Sequence, residues 1–106
     1  MKKPLFIHTV YFWLIEQTSD SDRQAFEKGL AALGSSTYSS NYFWGKPLQK
    51  DNRDVVDDSY DYGSTTFFDS TEQHDIYQST DEVHMTFINS FKHLWKTVKV
   101  YDHVLK

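Results

Sequence analysis

The stretch from Leu5 to Ile15 reads LFIHTVYFWLI and decides the fold. It is rich in β-branched and aromatic residues and contains neither glycine nor proline, which predicts a β-strand. Alternate residues of a strand point to opposite faces. One face carries Phe6, His8, Val10, Phe12 and Leu14, and the other carries Leu5, Ile7, Thr9, Tyr11 and Trp13. Because both faces are mostly apolar, we expect neither of them to lie open to water.

The segment at 18–36 predicts a helix that buries one side. Serine and aspartate side chains at 18–22 suit a helix start, and Ser21 with Gln24 has the spacing of a capping box. Apolar residues then follow at helical spacing on one side, at Phe26, Leu30 and Leu33. Gly34 is a residue type that commonly ends helices, so we expect the helix to stop there.

Three further strands are predicted, at 42–48, 60–69 and 98–105, each from its aromatic and β-branched content. Pro47 ends the first of them. The polar, acidic residues at 49–59 are interpreted as a loop, because runs of charge usually lie in water.

A second helical region follows Phe68-Asp69. Ser70 begins it, with Gln73 at the spacing of a capping box, and a break is expected near Ser79–Asp81, where Thr80 or Asp81 can cap a new start. The residues after the break keep helical spacing, at His84, Phe87, Ile88, Phe91, Leu94 and Trp95.

The predicted order is β-α-β-β-α-β, which is the split βαβ unit of a ferredoxin-like α+β fold, spread over one domain at 1–106. Two helices cover one face of a four-stranded antiparallel sheet and leave the other face bare. The first strand is apolar on both faces, so we expect a second copy of the chain to cover the bare face. Aromatic residues make up 17% of the chain, which is more than a small core needs and fits an added interface or a pocket.

Composition argues against several classes of partner. The net charge of −4 disfavours nucleic acid, which selects basic surfaces. The apolar N-terminal run is interrupted by His8 and reaches Glu16 too soon to span a membrane, so we expect a cytoplasmic protein without a membrane partner. The chain has no cysteine. Its histidines lack the spacing of a zinc site and its aspartates lack that of a calcium loop, so neither metal nor cofactor is expected.

Several segments, taken in order, resemble one known family. They are Phe6–Phe12, Arg53–Asp57, Ser59–Tyr62, Phe68–Ser70, His74–Gln78 with His84 and Phe87, and Leu94–Trp95 with Val98–Asp102. Their order and spacing resemble the stress-responsive A/B barrel (Dabb) family over about residues 5–104. The resemblance implies a homodimer in which two sheets form an α+β barrel.

The family includes a plant polyketide cyclase that closes an aromatic ring by aldol condensation without metal or cofactor, using a histidine and a tyrosine. Carried over by position, the general base falls on His84 and its partner on Tyr77, and the histidine of the first strand falls on His8. Tyr62 stands where that enzyme has another histidine. A further departure is Thr80–Val83, which replaces a histidine-proline pair and lengthens the segment before His84.

The candidate residues allow either a structural or a functional interpretation. His84 suits a general base, because imidazole titrates near neutral pH, or it is a half-buried helix residue with a satisfied ring. His8 lies among apolar neighbours and needs a hydrogen-bond partner, from a ligand or from the protein. Candidate lining residues of a pocket between sheet and helices are His8, Tyr62, Phe87 and Phe91.

Three functions stay open. The first is a stress-responsive Dabb-type homodimer that binds a small apolar or aromatic molecule without turnover. The second is a cofactor-independent enzyme, resembling a polyketide cyclase or a monooxygenase, with His84 as general base. The third is a structural protein that assembles into larger particles.

Overall fold

The computed structural model describes residues 3–106, so Met1 and Lys2 of the predicted domain lie outside it. The strands and helices follow one another along the chain in the order β-α-β-β-α-α-β. They are β1 (Phe6–Leu14), α1 (Asp20–Ala32), β2 (Asn41–Gly45), β3 (Tyr62–Phe68), α2 (Thr71–Ser79), α3 (Glu82–Phe91) and β4 (Trp95–Val104). Short 3₁₀ turns at Leu33–Ser35 and Lys92–Leu94 follow α1 and α3.

The four strands form one antiparallel sheet in the order β2-β3-β1-β4. This confirms the predicted ferredoxin-like α+β architecture. β1 lies inside the sheet, between β3 and β4. The register sets His8 of β1 opposite Thr66 of β3 on one side and Asp102 of β4 on the other.

The main core lies between the sheet and the helices. Phe26 and Leu30, from the predicted stripe of α1, are completely buried. The Phe26 ring meets Phe12 of β1 and Tyr62 of β3 edge to face, with ring centroids 5.3 and 5.2 Å apart. Edge-to-face contacts add to the gain from burial, so these rings attach α1 firmly to the sheet.

The start and end of α1 differ from the prediction. Ser19, not Ser21, is the N-cap, because its backbone is extended and its hydroxyl accepts a hydrogen bond from the Asp22 amide at 3.1 Å. Ser21 already lies inside the helix. Gly34 does not end the helix in a left-handed conformation, since it has no positive φ and the chain passes through it in a 3₁₀ turn.

The predicted break in the second helical region is confirmed between α2 and α3. Ser70 caps α2 by accepting from the Gln73 amide at 3.1 Å. Asp81 caps α3 by accepting from the Val83 amide at 3.1 Å, and its other carboxylate oxygen accepts from the Ser36 hydroxyl at 2.6 Å. The carboxylate is buried, so these bonds offset its loss of water.

The last strand begins earlier than predicted. Trp95 is the first residue of β4 and pairs with Leu14, and the Ile15 amide donates to the Leu94 carbonyl at 2.8 Å. The helical spacing of Leu94 and Trp95 in the sequence was therefore misleading, because pairing with β1 overrides it. The other strands are shorter than predicted, with β2 ending at Gly45, before Pro47, and β3 starting at Tyr62.

The face of the sheet away from the helices stays uncovered in a single chain. Phe43 of β2 is 59% exposed and Tyr101 of β4 is 57% exposed. Between them, the Tyr11 ring packs on Tyr60 with centroids 4.7 Å apart. We call this aromatic surface the open face.

Candidate functional site

A cavity of about 150 Å³ lies between the sheet and the helices, beside the main core. Its apolar lining comes mainly from Val10, Phe12, Phe87, Ile88, Val98 and Val100. Its polar lining comes from His8, Ser64, Thr66, Tyr77, Gln78, His84 and Trp95. The strands contribute hydroxyls and an imidazole at positions where the main core has aromatic rings.

The cavity reaches the surface beside β4. Val98 and Val100 line it, yet they are 37% and 50% exposed. β4 is an edge strand, so no further strand of the described chain covers its outer side. The cavity is therefore open to solvent beside β4.

His84 is held in the cavity wall by α3. The side chain is buried, and among the described residues its Nδ1 has no hydrogen-bond partner. Burial lowers the pKa of His84 and nearby His8 lowers it further, while Asp81 has the opposite effect. The backbone of Gln78 also raises this pKa, although no bond of normal geometry joins it to Nδ1. His84 is thus neutral at pH 7 and can accept a proton.

Tyr77 and His84 meet face to face across the break between α2 and α3. Their ring centroids are 4.3 Å apart and the ring planes are tilted by 36°. The contact is stacking, and no hydrogen bond joins the two rings in the described chain. Burial raises the pKa of Tyr77 far above its ordinary value, and Asp81 adds to the effect. Tyr77 therefore keeps its proton and is available only as a neutral hydroxyl.

His8 is buried in the cavity wall and has a carboxylate partner. Its Nδ1 lies 2.5 Å from Oδ1 of Asp102, the residue opposite it on β4. Burial lowers the pKa of His8, and the carboxylate opposes this without reversing it. The partner that the sequence required is thus supplied by the protein. The His8 ring also meets His74 of α2, with centroids 5.3 Å apart.

The cavity contains a second polar atom without a partner. Nε1 of Trp95 is buried and makes no hydrogen bond within the described residues. Sequence reasoning placed Trp95 in a helix stripe and did not select it, nor Asp102, as site residues. Strand alternation was the available signal for Asp102, because it places this carboxylate on the same face as Val98 and Val100. The register then sets Asp102 opposite His8.

Four of the six predicted site residues line the cavity, namely His8, Tyr77, His84 and Phe87. Tyr62 and Phe91 do not. The Tyr62 hydroxyl donates to Glu27 at 2.7 Å on the far side of the core, and burial together with that carboxylate raises the pKa of Tyr62 to about 12. Phe91 packs on Phe26, with ring centroids 5.4 Å apart.

Residues 3–106 show no group of three or more histidine and acidic side chains that could hold a metal ion. No helix in that range is long and apolar enough to cross a membrane.

The model of the Dabb family, described as the stress responsive A/B barrel domain, matches residues 6–105. This chain belongs to the Dabb family. No curated protein sequence matches it significantly.

Solved structures agree in fold at low identity. A Dabb family protein from Mesorhizobium loti with a ferredoxin-like fold is 15% identical, with 98% of this chain and 99% of that chain covered and a TM-score of 0.76. A dimeric ferredoxin-like protein of unknown function from Thermobifida fusca is 15% identical, with 99% and 95% covered and a TM-score of 0.78.

A hydroxynitrile lyase from Passiflora edulis is 14% identical, with 99% of this chain and 96% of that chain covered and a TM-score of 0.80. At such identities the likeness establishes a shared fold and leaves the chemistry to the residues of this chain.

Proposed function

We propose that this Dabb protein binds a small, neutral molecule with an apolar or aromatic body in the cavity between sheet and helices. The size of the cavity supports a ligand of about one ring, because an apolar cavity of about 150 Å³ in another protein holds benzene. Its described lining contains no lysine, arginine, aspartate or glutamate, which disfavours a charged ligand.

The observation that carries this proposal is the pair of unsatisfied polar atoms in the cavity wall, Nε1 of Trp95 and Nδ1 of His84. A buried polar group without a partner costs about 1–3 kcal/mol. A ligand with a polar group satisfies one or both atoms while its body contacts the surrounding valine and phenylalanine side chains.

The indole N–H of Trp95 provides a direct test. Protein labelled with ¹⁵N at tryptophan is titrated with toluene and with phenol. We expect the Trp95 indole signal to shift saturably with at least one probe. The Trp13 indole, which donates to the Ser59 hydroxyl at 3.0 Å, serves as the internal control and stays in place. Unchanged Trp95 signals with both probes would refute binding of this ligand class.

A pair of variants at the cavity mouth sharpens the test. Val100→Trp places a bulky side chain at a half-exposed lining position, so we expect probe binding to weaken at least tenfold while the fold survives. Val104→Trp is the matched control, because Val104 is 53% exposed on the same strand and does not line the cavity. Equal binding by both variants would place the probe elsewhere.

The protein is further proposed to act as a homodimer joined through the open face. Exposed aromatic surface of this kind marks interfaces, and several solved structures of similar fold are described as dimeric. Native mass spectrometry is expected to show a dimer, and Phe43→Arg with Tyr101→Glu to shift it toward monomer. A monomeric native protein would contradict this assembly, and species larger than a dimer would favour the structural alternative.

Enzyme activity is a second candidate, favoured by a neutral, unpaired His84 stacked on Tyr77. In that case His84 takes a proton from a bound substrate, which contributes about 10²–10⁴-fold to a rate. Because one similar structure is a hydroxynitrile lyase, a hydroxynitrile is a reasonable probe, with cyanide release as the readout.

We expect His84→Ala to abolish any release while native mass spectrometry still shows the dimer. His93→Ala, at an exposed position outside the cavity, is the control and should retain it. Absence of release from the native protein, or equal release from both variants, would exclude His84 as the base for this reaction.

A further inference from the structure

His8 and Asp102 form a pair that links the cavity to the edge of the sheet. They lie directly opposite each other on β1 and β4, with Nδ1 and Oδ1 2.5 Å apart. The His8 side chain is 8% exposed and the Asp102 side chain is 47% exposed. The imidazole therefore lies in the wall of the cavity, while its carboxylate partner remains in contact with water.

The pair determines which nitrogen of His8 carries the proton. A carboxylate can only accept a hydrogen bond, so Nδ1 of His8 must be the donor. Burial lowers the pKa of His8, and the ring is neutral at pH 7 with one proton. That proton is on Nδ1, which leaves Nε2 with a free lone pair and makes it a hydrogen-bond acceptor.

We propose that Asp102 is a positioning residue that holds His8 as a hydrogen-bond acceptor in the cavity, so that the bound molecule is one that carries a hydroxyl group. This rests on the proposed binding function and narrows its ligand class. A hydroxyl donates to Nε2 of His8, and its oxygen can also accept a bond.

The groups that face His8 from the helices leave this arrangement intact. His74 of α2 lowers the pKa of both His8 and His84, and His8 lowers that of His84 on α3. The carboxylate nearest His74 is Asp75, whose Oδ1 lies 3.2 Å from the Nδ1 of that ring. Asp102 is thus the carboxylate that His8 contacts, and Asp75 offers a matched control.

Nitrogen NMR of the native protein tests the pairing without any ligand. At pH 7.5 the ¹⁵N shifts of His8 should identify the neutral form with the proton on Nδ1. In Asp102→Asn the amide group can donate to Nδ1, so we expect the population to move toward the Nε2–H form. A native His8 that already carries its proton on Nε2 would overturn the inference.

Binding of phenol and toluene tests the ligand class, because the two have nearly the same shape and differ in a hydroxyl. We expect Asp102→Asn to weaken phenol binding roughly tenfold, the effect of losing one hydrogen bond, and to change toluene binding less than about twofold. Asp75→Asn should leave both affinities unchanged.

The outcomes separate this inference from the binding function itself. If neither probe binds the native protein, the binding function fails, while the NMR experiment still decides the state of His8. If both probes bind and Asp102→Asn changes them equally, the cavity is a binding site but the positioning role of Asp102 is wrong.

Discussion

The layer between the sheet and the helices has two halves that are built differently. Around α1, Phe26 and Leu30 are completely buried, and the Phe26 ring packs against the aromatic rings of Phe12 and Tyr62. Around α3, the same face of the sheet presents His8, Ser64 and Thr66, and a cavity of about 150 Å³ remains. We call these the packed half and the cavity half.

The two halves differ in how they contribute to the stability of the fold. In the packed half apolar side chains fill the layer, and burial stabilises the fold. In the cavity half, short or polar side chains cannot fill the layer, and some of their polar atoms lack partners. Such a region costs stability, which is consistent with the proposed binding role.

Truncation in the packed half should have the largest effect. Phe26→Ala removes a completely buried ring that contacts Phe12 and Tyr62, and we expect a loss of about 3–5 kcal/mol in the free energy of unfolding. Urea denaturation at constant protein concentration measures it. A loss below about 1 kcal/mol would mean that the Phe26 ring is not closely packed in this half of the layer.

Adding a methyl group to the packed half should also destabilise the protein. A Cβ at Gly29 would lie 2.2 Å from Cε2 of the Phe91 ring, a clash that costs about 1–3 kcal/mol. Better helix propensity offsets about 1 kcal/mol, so we expect a net loss of up to about 2 kcal/mol in Gly29→Ala. Gly45→Ala is the control, because no atom lies within 4 Å of its added Cβ. A stabilised Gly29→Ala protein would contradict the prediction.

The cavity half should make stability depend on pH. Burial lowers the pKa of His8 and of His84, so the unfolded chain takes up protons at a higher pH than the folded protein does. The free energy of unfolding should therefore fall as the pH drops from 7.5 through the unfolded histidine value of about 6.5 to 5.5. Urea denaturation curves at pH 7.5 and at pH 5.5 measure this decrease in the free energy of unfolding.

Substitutions show whether the buried rings cause that dependence. His84→Gln should make the difference between the two pH values smaller, since one of the shifted groups is removed. His93→Gln, at an exposed position, should leave it as in the native protein. An equal decrease in both variants would assign the dependence to groups outside the cavity half.

The smallest effect, and the opposite sign, is expected from adding a methyl group to the cavity half. Val10→Ile extends a lining residue into open space, and the added group contributes up to about 0.8 kcal/mol of stability. It should also weaken toluene binding. Val104→Ile, at an exposed position outside the cavity, should change neither quantity. Destabilisation by Val10→Ile would indicate that the cavity cannot accept even one extra carbon.

Much of the fold could be predicted from the sequence because the signals are local. The β-branched and aromatic content at 5–15 predicts β1, the stripe ending at Leu33 predicts α1, and Asp81 marks the break between α2 and α3. The predictions failed at ends of elements, where tertiary pairing decides. Trp95 continued a helical spacing, but pairing with Leu14 makes it the start of β4.

The sequence by itself determined the architecture of this Dabb chain. Through the family resemblance, it also identified His8, Tyr77 and His84 as candidate site residues. Only the tertiary structure decided that Asp102, 94 residues from His8, is its partner, and that Trp95 rather than Tyr62 or Phe91 lines the cavity. The physical reason is that periodicity reports which face a side chain takes. Contacts between distant residues, and the space left between them, depend on strand register and on how the helices pack.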